Sequence, residues 1–220
     1  MENLTLVIPA KKEAESLPSV LEEIKNLKCK KIVVVEETDT ETIESIKNFE
    51  KKIIYQKGKG YGNAITTGIK NVETEYLCIF NADGSFDPKE LPNLLNICQN
   101  YDYVFASRYL KNATSEDDTF LTKLGNYFFT LLGNILFSLN LSDILYTFVL
   151  GKTASFKSVD LKSDNFCLCV ELPINAKLTN QSFTHLSSNE RKRIAGKKKV
   201  KEFSDGMKIL SYMLYRYFKK

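Results

Sequence analysis

Histidine occurs once, at His185, and the five cysteines (Cys29, Cys78, Cys98, Cys167, Cys169) contain no CxxC pair. No zinc-site spacing can be assembled from such a set, and an odd number of unpaired thiols argues against a disulfide framework. No charged-then-apolar leader opens the chain, because the apolar run at 4–8 is short and meets Pro9, so a cytoplasmic protein is expected. Internal repeats and low-complexity linkers are also missing. The uncharged run 124–141 is long enough to raise a membrane span, but Gly125, Asn126, Gly133, Asn134, Ser138 and Asn140 interrupt it. A span needs about 20 predominantly apolar residues. Two short helices are expected there, packed on the core or lying at a membrane interface. The closing segment 207–220 mixes apolar, aromatic and basic residues as an interfacial helix would.

What is present fits one large domain over residues 1–220: 43% hydrophobic and 26% charged residues are enough for a real core. The net charge is only +4, yet basic residues crowd the chain after Glu190 while the first half holds most of the acids. That asymmetry suggests an anionic ligand or surface; no nucleic-acid partner is expected.

Strands and helices alternate in the first half. Apolar runs at 4–8, 31–35, 53–55, 76–80 and 103–106 read as strands. Between them, apolar residues recur at helical spacing: Leu17, Val20, Leu21 and Ile24 behind a Ser16 cap, then Ile43, Ile46 and Phe49, then Ile65 and Ile69, then Leu91, Leu94 and Cys98. This is a parallel-rich α/β layer of nucleotide-binding type. The polar segment 111–119 reads as a mobile surface loop.

The most informative stretch is Asn81-Ala82-Asp83-Gly84-Ser85, between the fourth strand and a helix announced by Asp87 as N-cap, Pro88 at the first position and Glu90 closing a capping box. A carboxylate at the carboxyl end of such a strand can offer oxygen ligands to a divalent cation carrying a nucleotide diphosphate; an ordinary turn-forming Asp is the alternative. Gly58-Lys59-Gly60-Tyr61-Gly62 lacks the GxGxxG spacing and follows the third strand, which excludes a dinucleotide fingerprint, and Gly151-Lys152-Thr153 has Tyr146 where a P-loop needs glycine. Lys59 and the amides near Gly60 still precede a helix, a place to meet a phosphate or nucleotide edge.

Leu6-Val7-Ile8-Pro9-Ala10 with Glu13, Val33-Val34-Val35-Glu36-Glu37, Gly58-Lys59-Gly60, Asn81-Ala82-Asp83-Gly84 and Ala106-Ser107-Arg108-Tyr109 occur in the order seen in family-two glycosyltransferases. With Leu124-Gly125-Asn126, Asp143 and Arg193-Ile194-Ala195-Gly196-Lys197-Lys198-Lys199, nearly the whole chain resembles the dolichyl-phosphate mannose synthase and polyprenyl-phosphate glycosyltransferase branch. The resemblance implies a GT-A fold, an open, mostly parallel sheet flanked by helices, with residues 1–110 binding the nucleotide sugar and 111–220 the acceptor. C-terminal helices would lie at the membrane interface.

It also implies an inverting enzyme that uses Mg2+ or Mn2+. The sugar would pass from a GDP- or UDP-linked donor to a polyprenyl phosphate, or alternatively to a saccharide hydroxyl. A nucleotide-sugar or membrane-surface binding protein without catalysis is the third reading. By the same resemblance Pro9, Glu13, Glu37, Lys59, Asn81 and Ala82 hold the nucleotide, and Asp83 and Ser85 the metal. Asp83, Arg108, Arg193 and Lys199 are expected at the chemistry, the basic residues meeting phosphates. Glu171 is expected there too, with a helix-start acid favoured by the dipole as the alternative. Asn81 replaces a family aspartate, Glu37 stands for an aspartate, and Val149 lacks a basic residue.

Overall fold

The computed structural model describes residues 1–196 and 198–219. In chain order the elements are β1 (Leu4–Ala10), α1 (Leu17–Glu23), β2 (Lys30–Val35), α2 (Thr40–Ser45), β3 (Lys52–Tyr55), α3 (Tyr61–Lys70), β4 (Tyr76–Ile79), α4 (Leu91–Cys98), β5 (Tyr103–Ser107), α5 (Phe120–Phe137), β6 (Val149–Lys152), α6 (Thr153–Ser158), α7 (Leu168–Leu178), β7 (Phe183–Ser187) and α8 (Glu202–Phe218). The strands form one sheet ordered β3-β2-β1-β4-β6-β5-β7. β6 alone runs antiparallel, against both β4 and β5, while every other pairing is parallel. The carboxyl ends of six strands therefore open onto one edge, together with the start of β6.

β1 shows why its sequence is a continuous apolar run. Leu4, Leu6 and Ile8 face a cluster shared with α1 and α4, and Val7 faces a second cluster built with α3, α7 and α8. A strand covered on both faces carries no polar alternation. Thr5, fully buried, is satisfied by the Thr74 hydroxyl at 2.6 Å.

Three expectations are corrected. The run 124–141 forms one helix, not two: Thr119 and Thr122 make a reciprocal capping box, and α5 continues to a left-handed Ser138 at φ 54°. Gly133 does not break it, because a β-carbon there would lie 2.7 Å from Ile144 Cδ1 and the bare backbone allows that approach. The Asn134 side chain then turns the chain by bonding Leu141 twice, its Nδ2 donating to the carbonyl at 2.8 Å and its Oδ1 accepting from the amide at 3.0 Å. Second, Asp87 and Pro88 do open the turn, Asp87 accepting from the Lys89 amide at 3.0 Å, but Glu90 does not close the expected capping box, and Pro88–Glu90 is a 3-10 turn ahead of α4. Third, segment 111–119 is not a free loop: Thr114 and Glu116 donate their amides to Asn189 Oδ1 and the Glu190 carbonyl, both at 3.0 Å.

Among the described residues, no helix is long and apolar enough to cross a membrane. α5 packs on α8, yet the pair leaves Phe120, Leu124, Tyr127, Leu131, Phe203 and Met207 exposed.

Two glycines test this packing. A β-carbon at Gly62 would lie 2.0 Å from the Ser163 carbonyl oxygen, whereas Gly125 has nothing within 4 Å. Gly62→Ala is expected to destabilise by about 1–3 kcal/mol in urea unfolding, and Gly125→Ala to stabilise by roughly 1 kcal/mol.

Candidate active site

A cleft of about 590 Å³ lies along the carboxyl edge of the sheet. At one end it is lined by Pro9 near the end of β1, Glu13 after it, Glu36 after β2 and Gln56 after β3. Glu13 is buried; its amide donates to Thr42 Oγ1 at 2.9 Å, Oε2 accepts from the Ser16 hydroxyl at 2.6 Å, and Oε1 pairs with Lys199. Ser16, read from sequence as a helix cap, spends its hydroxyl on Glu13 instead. Of the acidic doublet, Glu36 lines the cleft and takes the Lys11 ammonium at 2.7 Å, while Glu37 is exposed outside the lining. Lys59 is exposed and outside it too, whereas Gly60 and Tyr61 line it.

The centre is built from β4 and its turn. Asn81 and Ala82 line the cleft, and Asn81 Oδ1 accepts from the Tyr61 hydroxyl at 3.1 Å. Tyr61 is fixed in turn by Thr147 Oγ1 at 2.6 Å and by stacking on Phe166. Asp83 Oδ1 accepts from the Ser85 amide at 3.0 Å and the Ser85 hydroxyl at 2.7 Å, which leaves Oδ2 facing Arg193 Nη1 at 3.6 Å. Ser85 is buried outside the lining, so it orients Asp83. The turn is also clamped from outside: Arg191 and Ile194 donate their amides to the Ser85 and Asp83 carbonyls at 2.9 and 2.8 Å.

A hard divalent cation fits this donor set in one way. Asp83 Oδ2 already faces a positive charge, but no group of three or more His, Cys, Asp or Glu among the described residues could hold an ion alone. The remaining ligands would have to be diphosphate oxygens.

The other end is dominated by carboxylates. Arg108, buried after β5, donates Nε to Asp143 Oδ2 at 2.7 Å and Nη2 to Oδ1 at 3.1 Å, while Nη1 lies 3.3 Å from Glu190 and 3.5 Å from Asp118. Its guanidinium also sits 4.6 Å over the Tyr146 ring. Arg193 is bound by both oxygens of Asp117, at 2.6 and 3.2 Å. Burial alone would raise the Asp117 carboxyl; the hydrogen bond and charge of Arg193, with Lys198, hold it below the ordinary range. Glu171 is outside the lining: its oxygens accept from the Lys162 and Ser163 amides at 3.0 and 2.8 Å and fix the loop ahead of α7. Lys197 lies outside the described residues.

Sequence reasoning passed over Glu36, Tyr61, Thr147, Asp117, Asp118 and Glu190, all lining the cleft. Glu116-Asp117-Asp118 and the basic run after Glu190 are complementary in charge, and that was the available signal.

Arg108 and Arg193 separate fold from site. Arg108→Ala leaves Asp143 and Glu190 buried without their cation and is expected to cost about 3–5 kcal/mol. Arg193→Ala, at a more exposed pair, is expected to cost about 1 kcal/mol. Urea midpoints measure both.

Three likenesses accompany this geometry. The chain is 24% identical over 226 residues to a dolichol-phosphate mannosyltransferase of Pyrococcus furiosus, covering 97% of this chain and 62% of that one. It is 23% identical over 211 residues to a dolichyl-phosphate hexose transferase of Haloferax volcanii, covering 94% and 91%. Its fold matches, at TM-score 0.78 and 12% identity, glucosyl-3-phosphoglycerate synthase from Mycobacterium tuberculosis in complex with Mn2+, uridine diphosphate and glucosyl-3-phosphoglycerate, covering 97% of this chain and 79% of that one. The model of Glycosyl transferase family 2 matches residues 5–160, and with the seven-stranded GT-A sheet it establishes that the chain is a glycosyltransferase belonging to that family.

Proposed function

We propose that the chain transfers one sugar, with inversion, from a GDP- or UDP-sugar to a hydroxyl of a lipid-carried acceptor at the cytoplasmic face of a membrane. The observation that carries the reading is one cleft joining an end at Pro9, Glu13 and Glu36, the Asp83 carboxylate whose Oδ2 meets, among the described residues, only Arg193, at 3.6 Å, and a second end at Arg108 and Glu190. Asp83, set by Ser85, would hold Mg2+ or Mn2+ against the donor diphosphate. The cation would neutralise charge growing on the departing diphosphate. Asn81, anchored by Tyr61, lines the same cleft.

Polyprenyl phosphate, the acceptor expected from sequence, is the second reading. The names of the Pyrococcus and Haloferax relatives favour it. Against it, a phosphate needs free cations at the acceptor end, and Arg108 and Arg193 are both neutralised by carboxylates. Membrane contact is supported by the exposed apolar side chains of α5 and α8 with Lys201, Lys208 and Arg216 among them.

Asp83→Ala is expected to abolish transfer and to erase the thermal shift that Mn2+ adds to UDP or GDP binding; unchanged turnover would refute the assignment. Asn81→Asp should keep activity and strengthen the metal-dependent shift, since a carboxylate still accepts from Tyr61. Leu124→Glu with Leu131→Glu is expected to lower co-sedimentation with anionic phospholipid vesicles at least tenfold without changing nucleotide binding. Equal sedimentation would remove the membrane from the reading.

A further inference from the structure

Resting on the transfer reading above, the question is which group takes the proton when the nucleophile is a hydroxyl. Four carboxylates surround the Arg108 end of the cleft, and their partners differ. Asp143 spends both oxygens on Arg108, and Asp117 both on Arg193. Asp118 accepts from the Tyr109 hydroxyl through Oδ2 and pairs with Arg108 through Oδ1 at 3.5 Å. Glu190 uses only Oε2, which takes the Ser115 hydroxyl and Arg108 Nη1 at 3.3 Å. Among the described residues no hydrogen bond reaches Glu190 Oε1, and that atom is not among the buried, unpartnered ones. The side chain lines the cleft while its residue is 7% exposed.

We propose that Glu190 is the general base of the transfer, Oε1 accepting the proton of the attacking acceptor hydroxyl. As the acceptor oxygen bonds to the anomeric carbon, the bond from that carbon to the diphosphate breaks. Its electron pair leaves on the diphosphate, and the hydroxyl proton ends on Glu190. A phosphate nucleophile carries no such proton, so the assignment also selects the acceptor class. Arg108 and Ser115 grip the other oxygen and aim the group. Burial raises the Glu190 carboxyl above the ordinary range, Asp118 adding to this while Arg108 and Ser115 oppose it, so the ionised form is a stronger base than a solvated glutamate. Arg193, Asp143 and Tyr146 are the other charged or titratable groups around it.

The test uses UDP-glucose and GDP-mannose with Mn2+, octyl glycosides as hydroxyl acceptors, and azide as a nucleophile with no proton to lose. Glu190→Gln is expected to cut transfer to the glycoside about 100-fold or more. It should keep the metal-dependent thermal shift with nucleotide and form glycosyl azide at the wild-type rate. The acid limb of kcat/KM against pH should vanish in Glu190→Gln and move in Glu190→Asp. Transfer to glycoside within threefold of wild type overturns the proposal, as does an equal loss with azide, which would mark a structural role. Wild-type transfer to polyprenyl phosphate alone, indifferent to Glu190→Gln, overturns the base and leaves sugar transfer standing. Wild-type protein that binds no nucleotide and uses no nucleophile overturns both.

Discussion

A guanidinium buried to the extent of Arg108 is tolerable only where carboxylates meet it, and the structure brings three, from segments far apart in the chain: Asp118 before α5, Asp143 before β6 and Glu190 after β7. Each lies in a connection leading into or out of an element, and the ion pair ties that connection to the end of β5. Such a network contributes little net stability compared with an apolar substitute, since desolvation offsets the attraction. Its consequence is geometric. It fixes one wall of the cleft and leaves that wall more negative than positive.

The opposite wall follows from sheet direction. β1, β2 and β4 are parallel and adjacent, so the residues just past them converge without any long loop. β6, reversed between β4 and β5, separates the Asp83 turn from Arg108 by one strand and lets Thr147, just before it, reach Tyr61. The Pro9–Glu13 end, the Asp83 turn and the Arg108 end are thus in line along one edge of the sheet.

Much of this was legible and some was not, for physical reasons. β1, β2, β4 and β5 are readable because each is an almost wholly buried apolar run, and β3, a half-exposed edge strand, because it stands between two amphipathic helices. β6 is four residues containing Gly151, required because a β-carbon would lie 2.7 Å from the Asp102 carbonyl and the Tyr103 ring, so it carries no strand signature. β7 is half-buried along its length at the sheet edge and shows no apolar run. Asp83 could be placed from local signals, the end of a strand and the start of a helix. The choice of Glu36 over Glu37 could not, since a doublet after a strand leaves open which residue turns inward.

The basic run after Glu190 shows how composition misleads when pairing is non-local. Its excess of charge suggests a clamp for phosphate or an anionic surface. Folded, Arg191 binds Glu23, Arg193 binds Asp117, Lys198 lies near Asp117, and Lys199 binds Glu13. Glu13, Glu23 and Asp117 and these bases are one complementary set, drawn together where Glu190, Arg193, Lys198 and Lys199 line the cleft. What Arg193, Lys198 and Lys199 offer a ligand in the cleft is therefore exchangeable pairs. A donor diphosphate with its cation would have to take Arg193 from Asp83 to seat itself, and an uncharged acceptor hydroxyl would have to displace nothing.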